Sequence, residues 1–426
     1  MLSTIQFPDP SSWPLLLQRP VVDAAHLKEQ VGKIMQLVKS GGDETLQRLT
    51  KELDGVLVEQ LRIDSSVILA AEQELAPSLK QAIRTAADNI RRFHSTQMKQ
   101  EERIETMPGI VCWRRSRPIE KVGLYIPGGT APLFSTILML GIPAQLAGCK
   151  EIVLCTPPGK DGKVHPAILF TAKEVGIDQI FRVGGAQAIA AMTYGTASVP
   201  KVHKIFGPGN QYVTAAKQWA QQEGVAIDMP AGPSEVCVWA DATAMPHFVA
   251  ADLLSQAEHG ADSQVLLVTT SAELPAKVIA AIEGQLAVLP RAEFARQAMQ
   301  NSKAMVVQSQ EEALQLVNAY APEHLIIACE QAEQLAEGVV NAGSVFLGNY
   351  SPESVGDYAS GTNHTLPTNG YARAYSGVSV DSFVKKITYQ QLTKEGLTLL
   401  APTVVAMAEA EGLQAHARAV QIRLQS

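Results

Sequence analysis

The chain has 426 residues, of which 46% are hydrophobic and 18% are charged, so it can bury a large core and does not have the composition of a disordered protein. By length alone it would contain about three domains. Its formal net charge is −7 and its Lys and Arg residues are scattered, so we expect neither nucleic acid nor an anionic membrane as a partner.

The first 118 residues have mainly helical patterns, with candidate helix caps at Asp23 and Asp43. The opening sequence MLSTIQFPDPSSW has neither the basic start nor the apolar stretch of a signal peptide. No apolar run in the sequence reaches the roughly 18 residues that a membrane span needs. We therefore expect a cytoplasmic protein.

Short β-branched runs alternate with amphipathic helices from Lys121 to Gly348, which predicts parallel βαβ units. The first series runs from VGLYI to EVCVWA and includes a helix from about Asn210 to Gln222. The second series consists of SQVLLVTT, AMVVQS, HLIIAC and GSVFLG. Beyond about Ser376 the strand patterns stop, and the rest of the sequence has helical patterns.

The cysteines are odd in number and lie mostly in apolar strand patterns, without a C-x-x-C spacing. We interpret them as reduced core thiols of a cytosolic protein, with a catalytic nucleophile as the minor alternative. They are Cys112, Cys149, Cys155, Cys237 and Cys329.

Glycine-rich loops follow predicted strands and precede predicted helices at Gly123–Thr130, at Gly184 and at Phe206. Backbone N–H groups at such positions favour a phosphate, and open α/β sheets bind ligands in this crevice. None of the loops has the G-x-G-x-x-G spacing, because Tyr212 occupies the third glycine position of GPGNQY. The alternative for each loop is a tight turn without a ligand.

A candidate metal site begins in DLLSQAEHG, where Gln256 and His259 lie three residues apart on one predicted helix face. Glu258 would point away from that face, toward solvent or an outer shell. Asp357 and His364 lie in a predicted loop, SPESVGDYASGTNH, and compete as further ligands. Nitrogen and oxygen ligands without thiolates favour zinc over magnesium.

Glu323 and His324 begin the predicted strand HLIIAC and form a plausible general-base pair. The alternative is an exposed pair at the start of a strand. His416 lies in the helical tail, where its residue type and position alone are typical of a solvated helix residue.

Several long motifs resemble those of histidinol dehydrogenases, in the same order, from about Arg19 to His416. They are GLYIPGGTAPLFSTILML, VGGAQAIAA, IFGPGN, DMPAGPSEV, DLLSQAEHG, APEHL, AGSVFLG and SPESVGDYASGTNHTLPT. The resemblance implies a homodimer with one Zn2+ per subunit that oxidises L-histidinol to L-histidine through L-histidinaldehyde with two NAD molecules. This reaction is the last step of histidine biosynthesis.

The resemblance also implies a set of site residues. Glu323 and His324 would be catalytic, and NAD contacts would come from Tyr125, Gln187 and Asn210. The zinc ligands would be Gln256, His259, Asp357 and His416, with His416 supplied by the partner subunit. Substrate contacts would come from Ser234, Gln256, His259, His324, Asp357, Glu411 and His416.

The predicted fold class is therefore α/β, with two Rossmann-like but incomplete parallel-sheet domains plus a helical dimerisation tail. We expect residues 22–118 and 234–376 to form a discontinuous domain that carries the metal and catalytic residues. Residues 119–233 would form the NAD side. Residues 1–21 and 377–426, an N-terminal segment and the tail, would dimerise.

Two other functions remain as alternatives to the dehydrogenase. A zinc-dependent hydrolase would use Glu323 to activate metal-bound water without any nucleotide. A metal- or nucleotide-binding module without catalysis would use only the glycine-rich loops.

Overall fold

The protein is represented by a computed structural model that describes residues 2–20, 24–98, 101–128 and 132–425, with the backbone alone for 24–26. Asp23, Gly129 and Thr130, which the sequence analysis singled out, lie outside these ranges. Strands within them are β1 Ser3–Gln6, β2 Arg103–Met107, β3 Ile110–Pro118, β4 Lys121–Tyr125, β5 Glu151–Thr156, β6 Gln179–Arg182, β7 Lys204–Phe206, β8 Ala226–Ile227, β9 Glu235–Ala240, β10 Gln264–Thr269, β11 Lys303–Val306, β12 His324–Ala328, β13 Ser344–Leu347 and β14 Val384–Leu392.

The helices surround these strands and include one long helix, α2, that is interrupted at Gly42, where φ is 52°. They are α1 Trp13–Leu16, α2 Ala24–Leu49, α3 Ser65–Ala70, α4 Pro77–Ser95, α5 Ser135–Ala147, α6 Pro166–Glu174, α7 Gly185–Tyr194, α8 Gln211–Gln222, α9 Pro246–Ala257, α10 Leu274–Leu286, α11 Ala292–Ala298, α12 Gln310–Tyr320, α13 Ala332–Ala336, α14 Glu353–Tyr358, α15 Lys394–Ala410 and α16 Gln414–Leu424. None of the helices in the described part of the chain is long and apolar enough to cross a membrane.

One parallel sheet has the strand order β6-β5-β4-β7-β8. Helices cover both of its faces: α5 and α6 pack on the face that carries Val122 and Leu124, and α7 and α8 pack on the opposite face. Alternate side chains of the same strands thus enter different cores, as the two-residue period of a strand requires. The βαβ alternation predicted the strands of this sheet.

The early helices pack on this five-stranded sheet. α4 contributes Ile83 and Ile90 to the core on one face, and α2 contributes Val31 and Met35 to the core on the other. These contacts place α2 and α4 on the five-stranded sheet, whereas residues 22–118 were expected to form one domain with residues 234–376. The division into domains stays a prediction. An apolar helix stripe predicts that the helix covers a core, but it does not indicate which of two sheets supplies that core.

A second parallel sheet has the order β1-β11-β10-β9-β12-β13. α9, α10 and α11 cover one face, and α12, α13 and Trp13 of α1 cover the other. EVCVWA therefore belongs with the second strand series, in agreement with the boundary at residue 234. The N-terminal segment adds the edge strand β1 to this sheet. Its expected part in a dimer contact stays a prediction.

A small antiparallel sheet, β14-β3-β2, connects the region before the first parallel sheet with the tail. The expectation of helices alone beyond Ser376 is wrong at β14, whose mainly exposed and polar side chains give a weak strand pattern. β14 is defined by its pairing with β3 along nine residue pairs. The tail helices α15 and α16 follow it, and the predicted α/β class with a helical tail is confirmed.

Candidate active site

The candidate site lies at the amino-terminal edge of the six-stranded sheet. Glu323 directly precedes β12 and Ser234 directly precedes β9, and these strands pair in parallel with His324 opposite Val236. Gln256 lies in the last turn of α9, which leads back to the same edge. The strand starts and the helix end therefore bring together polar side chains from three separate sequence motifs.

Glu323 and His324 are both buried, with 8% and 2% of their surfaces exposed. One carboxylate oxygen of Glu323 accepts the backbone N–H of Glu235 at 2.9 Å and lies 3.8 Å from His324 Nδ1. On the other side of the ring, His324 Nε2 lies 3.2 Å from Asp357 Oδ1. The alternative of an exposed acid–histidine pair is thus wrong, and the pair is held in fixed geometry.

Burial and mutual charge shift the pKa values of this group. Burial raises the pKa of Glu323 to about 8, although the neighbouring imidazole opposes the shift. Burial lowers the pKa of His324, but the charge of Glu323, the hydrogen bond with Asp357 and the charge of Glu353 outweigh it and raise the value to about 10. The pKa of Asp357 is lowered, because its hydrogen bond to His324 and nearby imidazoles outweigh burial. Such opposed shifts are typical of acid–base sites.

Gln256 lies in the last turn of α9, but His259 follows the end of the helix in a tight turn, where its N–H donates to Gln256 O at 3.2 Å. The predicted single helix face therefore does not extend to His259. Gln256 is 1% exposed, and its Nε2 lies 2.8 Å from His324 Nδ1. Its Oε1 is buried and has no hydrogen-bond partner among the described residues. His259 Nδ1 lies 3.2 Å from Ser234 Oγ.

These residues fit a zinc ion. A buried amide oxygen without a partner costs free energy that a bound cation would remove. The carboxylates of Glu323, Glu353 and Asp357 surround one imidazole, and this excess of negative charge also favours a cation. In the described residues, no three His, Cys, Asp or Glu side chains form a metal site by themselves. An ion here would therefore need the amide, and a further ligand from elsewhere.

His364, which competed as a ligand, has both ring nitrogens engaged. Nδ1 lies 2.7 Å from the backbone oxygen of Asp357, and Nε2 lies 3.2 Å from Thr136 Oγ1 at the start of α5. It therefore links the loop beside the site to the five-stranded sheet. Asp357 itself lies in the short helix α14 rather than in the predicted loop.

The sequence analysis missed Glu353, a buried acid of the same group that is 1% exposed. One of its oxygens accepts Ser255 Oγ at 2.6 Å, and the other lies 4.0 Å from His324 Nδ1. Burial raises the pKa of Glu353 to about 7. Glu353 lies four residues before Asp357, so a helix there would place both carboxylates on one face. This spacing could have indicated Glu353 from the sequence.

Glu411 and His416 lie apart from this group within one chain. Glu411 ends α15, His416 lies in α16, and both are exposed. No hydrogen bond or ion pair of the described residues joins them to Gln256, His259 or Asp357.

The predicted NAD residues lie at the carboxyl-terminal edge of the five-stranded sheet. Tyr125 OH accepts the N–H of Gly185 at 3.1 Å, and Gln187 Nε2 donates to Asp54 at 3.4 Å. Asn210 caps α8, with its Oδ1 accepting the N–H groups of the first turn. Asn210 also lines a cavity of about 850 Å³, which Gly232 and Asn369 border from the side of the other sheet.

The cysteines are free thiols, and most have poor access to the thiolate form. Burial raises the pKa values of Cys149 and Cys329 to about 12 and raises those of Cys155 and Cys237 further. We predict that replacing each of the five cysteines singly by Ala leaves turnover intact, apart from modest effects of lost packing. Steady-state rates and unfolding curves of each variant would check this. A thioester trapped on any cysteine during turnover would contradict it.

The fold and the buried acid–imidazole group together define an α/β enzyme. A sequence profile described as Histidinol dehydrogenase matches residues 17–424. The chain is 57% identical over 424 residues to "Histidinol dehydrogenase" of Bacteroides fragilis strain YCH46, covering 100% of this chain and 99% of that protein. It is 54% identical over 402 residues to the protein of that name from Xylella fastidiosa strain 9a5c, covering 94% and 93%.

A solved structure shows the same likeness in three dimensions. The crystal structure of histidinol dehydrogenase from Elizabethkingia anophelis superposes with a TM-score of 0.97 at 56% identity, covering 100% of this chain and 98% of that one. The chain belongs to the histidinol dehydrogenase family and is an oxidoreductase. The resemblance drawn from the sequence motifs is confirmed, and the alternatives of a zinc hydrolase and a non-catalytic module are not favoured.

Proposed function

We propose that the protein oxidises L-histidinol to L-histidine through L-histidinaldehyde, using two NAD molecules, in the last step of histidine biosynthesis. The observation that carries the proposal is the buried pair Glu323–His324 beside an unpartnered amide oxygen of Gln256. A buried acid and imidazole supply the proton transfers, and the adjoining donors supply a place to hold the substrate.

Histidinol has an imidazole and a primary amine, and both nitrogens need partners in a buried site. Zinc, when bound, would accept these nitrogens and thereby orient the substrate. Gln256, His259 and Asp357 would hold the ion together with His416 of the partner subunit. Ser234, which lies beside His259, and Glu411 of the partner subunit would contact the substrate. Fixing the reacting carbon in this way can contribute up to about 7–11 kcal/mol to lowering the barrier.

His324 and Glu323 have separate roles in the proton transfers. The raised pKa of His324 makes its imidazole a strong base once it has lost its proton. In that form it accepts the hydroxyl proton while the alcohol carbon loses a hydride, which gives the aldehyde. Glu323, once ionised, then takes a proton from a water molecule whose oxygen adds to the aldehyde carbon. Protonated His324 returns its proton to the former carbonyl oxygen, which leaves His324 neutral for the second oxidation. The resulting gem-diol loses the second hydride and its hydroxyl proton, and the water oxygen becomes part of the carboxylate. NAD, when bound, supplies the hydride acceptor for each oxidation.

A homodimer with shared sites is supported by the tail. α16 packs on α15, which also packs on β14 and, at Gly396, against Gly109 of the β2–β3 turn. Few side chains of these helices are buried. Leu399, Met407 and Ile422 are each more than half exposed. Such apolar surface is typical of helices that pack on a second subunit, and this packing would bring Glu411 and His416 to a partner's site.

The test of the function is the absorbance of reduced nicotinamide when purified protein receives L-histidinol and NAD. We expect two reduced NAD molecules for each L-histidine formed, without accumulation of free aldehyde. Absence of any reduced nicotinamide, with protein of verified metal content, would contradict the proposal.

Removal of the metal is expected to abolish turnover, because the ion that Gln256 and His259 would hold could no longer orient the substrate. Adding zinc back should restore the rate in proportion to the zinc bound per subunit, measured by elemental analysis. A His259→Ala variant should lose zinc on dialysis under conditions in which the unaltered protein retains it. Full activity of metal-free protein would refute the zinc site.

A further inference from the structure

Glu235, the first residue of β9, contacts both members of the catalytic pair through its backbone. Its N–H donates to Glu323 Oε2 at 2.9 Å, and its carbonyl oxygen lies 3.2 Å from His324 Nδ1. The backbone of this one residue therefore contacts both the catalytic acid and the imidazole. A shift of this residue would move two hydrogen-bond partners of the site at once.

The side chain of Glu235 is held by a buried ion pair with Arg19. Arg19 Nε and Nη2 donate to the two carboxylate oxygens at 2.5 and 2.8 Å, and the side chains are 13% and 2% exposed. The N–H of Asn369 donates to the same carboxylate at 2.7 Å. A paired guanidinium and carboxylate with such geometry is strongly directional, because the planar fork matches both oxygens.

Arg19 also holds the segment that leads into Glu323. Its Nη2 donates to the backbone oxygen of Tyr320 at 2.8 Å, and its guanidinium lies 4.2 Å from the centre of the Tyr320 ring. Tyr320 ends α12, three residues before Glu323. Arg19 thus fixes the two backbone segments between which the catalytic acid lies.

We propose that Arg19 and Glu235 are positioning residues of the active site, acting through the Glu235 peptide group on Glu323 and His324. The inference rests on the proposed function. Arg19 comes from the N-terminal segment, far in sequence from every residue that the motifs assign to the site. Arg19 also lines the cavity of about 850 Å³, so removal of its side chain would open the space beside Glu235 toward that cavity.

Loss of the guanidinium would leave the Glu235 carboxylate buried with the Asn369 N–H as its remaining partner. The carboxylate would then turn toward water in the cavity, and the start of β9 would follow it. Small displacements of catalytic groups have large effects, since about 1 Å of misplacement can reduce the rate about 100-fold.

The first test is Arg19→Ala, for which we expect kcat to fall about 10- to 100-fold, as is usual when a residue that orients a site group is lost. KM for histidinol should change less than kcat, because in the described part of the chain Arg19 and Glu235 form no hydrogen bond to Gln256, His259 or Asp357, although Ser234 adjoins Glu235. Arg84→Ala is a matched control. Arg84 also forms a two-pronged pair, with Glu174, and lies over an aromatic ring, that of Phe170, but it has no connection to the site.

Chemical rescue separates positioning from general destabilisation. Guanidinium ion at a concentration that does not unfold the protein should enter the cavity and restore part of kcat in Arg19→Ala. Urea, which has a similar shape without the charge, should not. In the double variant Arg19→Ala/Glu235→Gln the partner charge is absent, so guanidinium should have no effect.

A spectroscopic measurement gives a readout independent of turnover. The chain has nine histidines, and a His324→Asn variant would assign the ring signals of His324 in protein labelled with ¹⁵N-histidine. We expect these signals to shift in Arg19→Ala, to return with guanidinium and to be unchanged in Arg84→Ala.

Each outcome decides the inference. Unchanged kcat and unchanged His324 signals in Arg19→Ala would overturn it, as would equal rescue by urea. If Arg19→Ala does not fold, Arg19→Lys and Glu235→Gln take its place, and wild-type kcat in both would overturn it. Failure of the unaltered protein to oxidise histidinol would refute the proposed function instead, so the two failures are distinguishable.

Discussion

Replacing Glu323 by Gln is expected to reduce oxidation of L-histidinaldehyde by about 10²- to 10⁴-fold, the usual contribution of a general base. Oxidation of L-histidinol to the aldehyde should fall much less, since His324 takes the hydroxyl proton in that step. The amide of Gln has nearly the same size and can still accept the N–H of Glu235, so the backbone contact is preserved. Each half-reaction would be measured with its own substrate.

His324→Asn is the companion variant, and it should impair both half-reactions, because every hydride loss requires removal of a hydroxyl proton. The two variants should thus differ in which half-reactions they slow as well as in how much they slow them. An equal loss of both half-reactions in Glu323→Gln would show that Glu323 orients His324 without activating water.

Mixing two inactive variants, His259→Ala and His416→Ala, is expected to restore activity. In a heterodimer one site lacks both ligands, while the other takes His259 from one chain and His416 from its partner. Because one of the two sites of a symmetric dimer is then complete, activity should reach up to about half the wild-type value per heterodimer. Refolding the variants together and measuring the rate of isolated heterodimers would check this.

The control mixture combines His259→Ala with Asp357→Ala. His259 and Asp357 both lie at the amino-terminal edge of the six-stranded sheet of one chain, so each site of that heterodimer lacks one ligand and should stay inactive. Inactivity of the His259→Ala/His416→Ala heterodimer, with its formation proven, would refute a shared site.

The sequence predicted the strands of both parallel sheets because their βαβ units have strong local patterns. Glu323, His324 and His259 are predicted from their residue types at element ends. Gln256 as a ligand is implied only by the resemblance, because a neutral amide binds zinc weakly. These residues share one edge because the strand order places β12 beside β9, although α9, β10 and β11 lie between them in the sequence. Their roles stay predictions.

Long-range packing was not predictable from local patterns. An amphipathic stripe on α2 or α4 does not identify the sheet it covers, and β14 has a polar sequence that becomes a strand only against β3. The role of Arg19 was not predictable for the same reason, since a single arginine in an N-terminal segment belongs to no recognisable motif. Its role depends on the carboxylate of Glu235, which lies 216 residues later in the sequence.

The pairing of β3 with β14 also constrains the order of events during synthesis. Residues 110–118 leave the ribosome long before residues 384–392, so β3 must wait with one edge unpaired while both parallel sheets are made. Unpaired edges are sites of aggregation, so the free edge of β3, like β1 before β11 is made, is exposed to incorrect pairing during synthesis. In the proposed homodimer, α15 and α16 can contact a partner only after β14 has been synthesised. Subunit assembly would therefore be delayed until the sheets of each chain are complete.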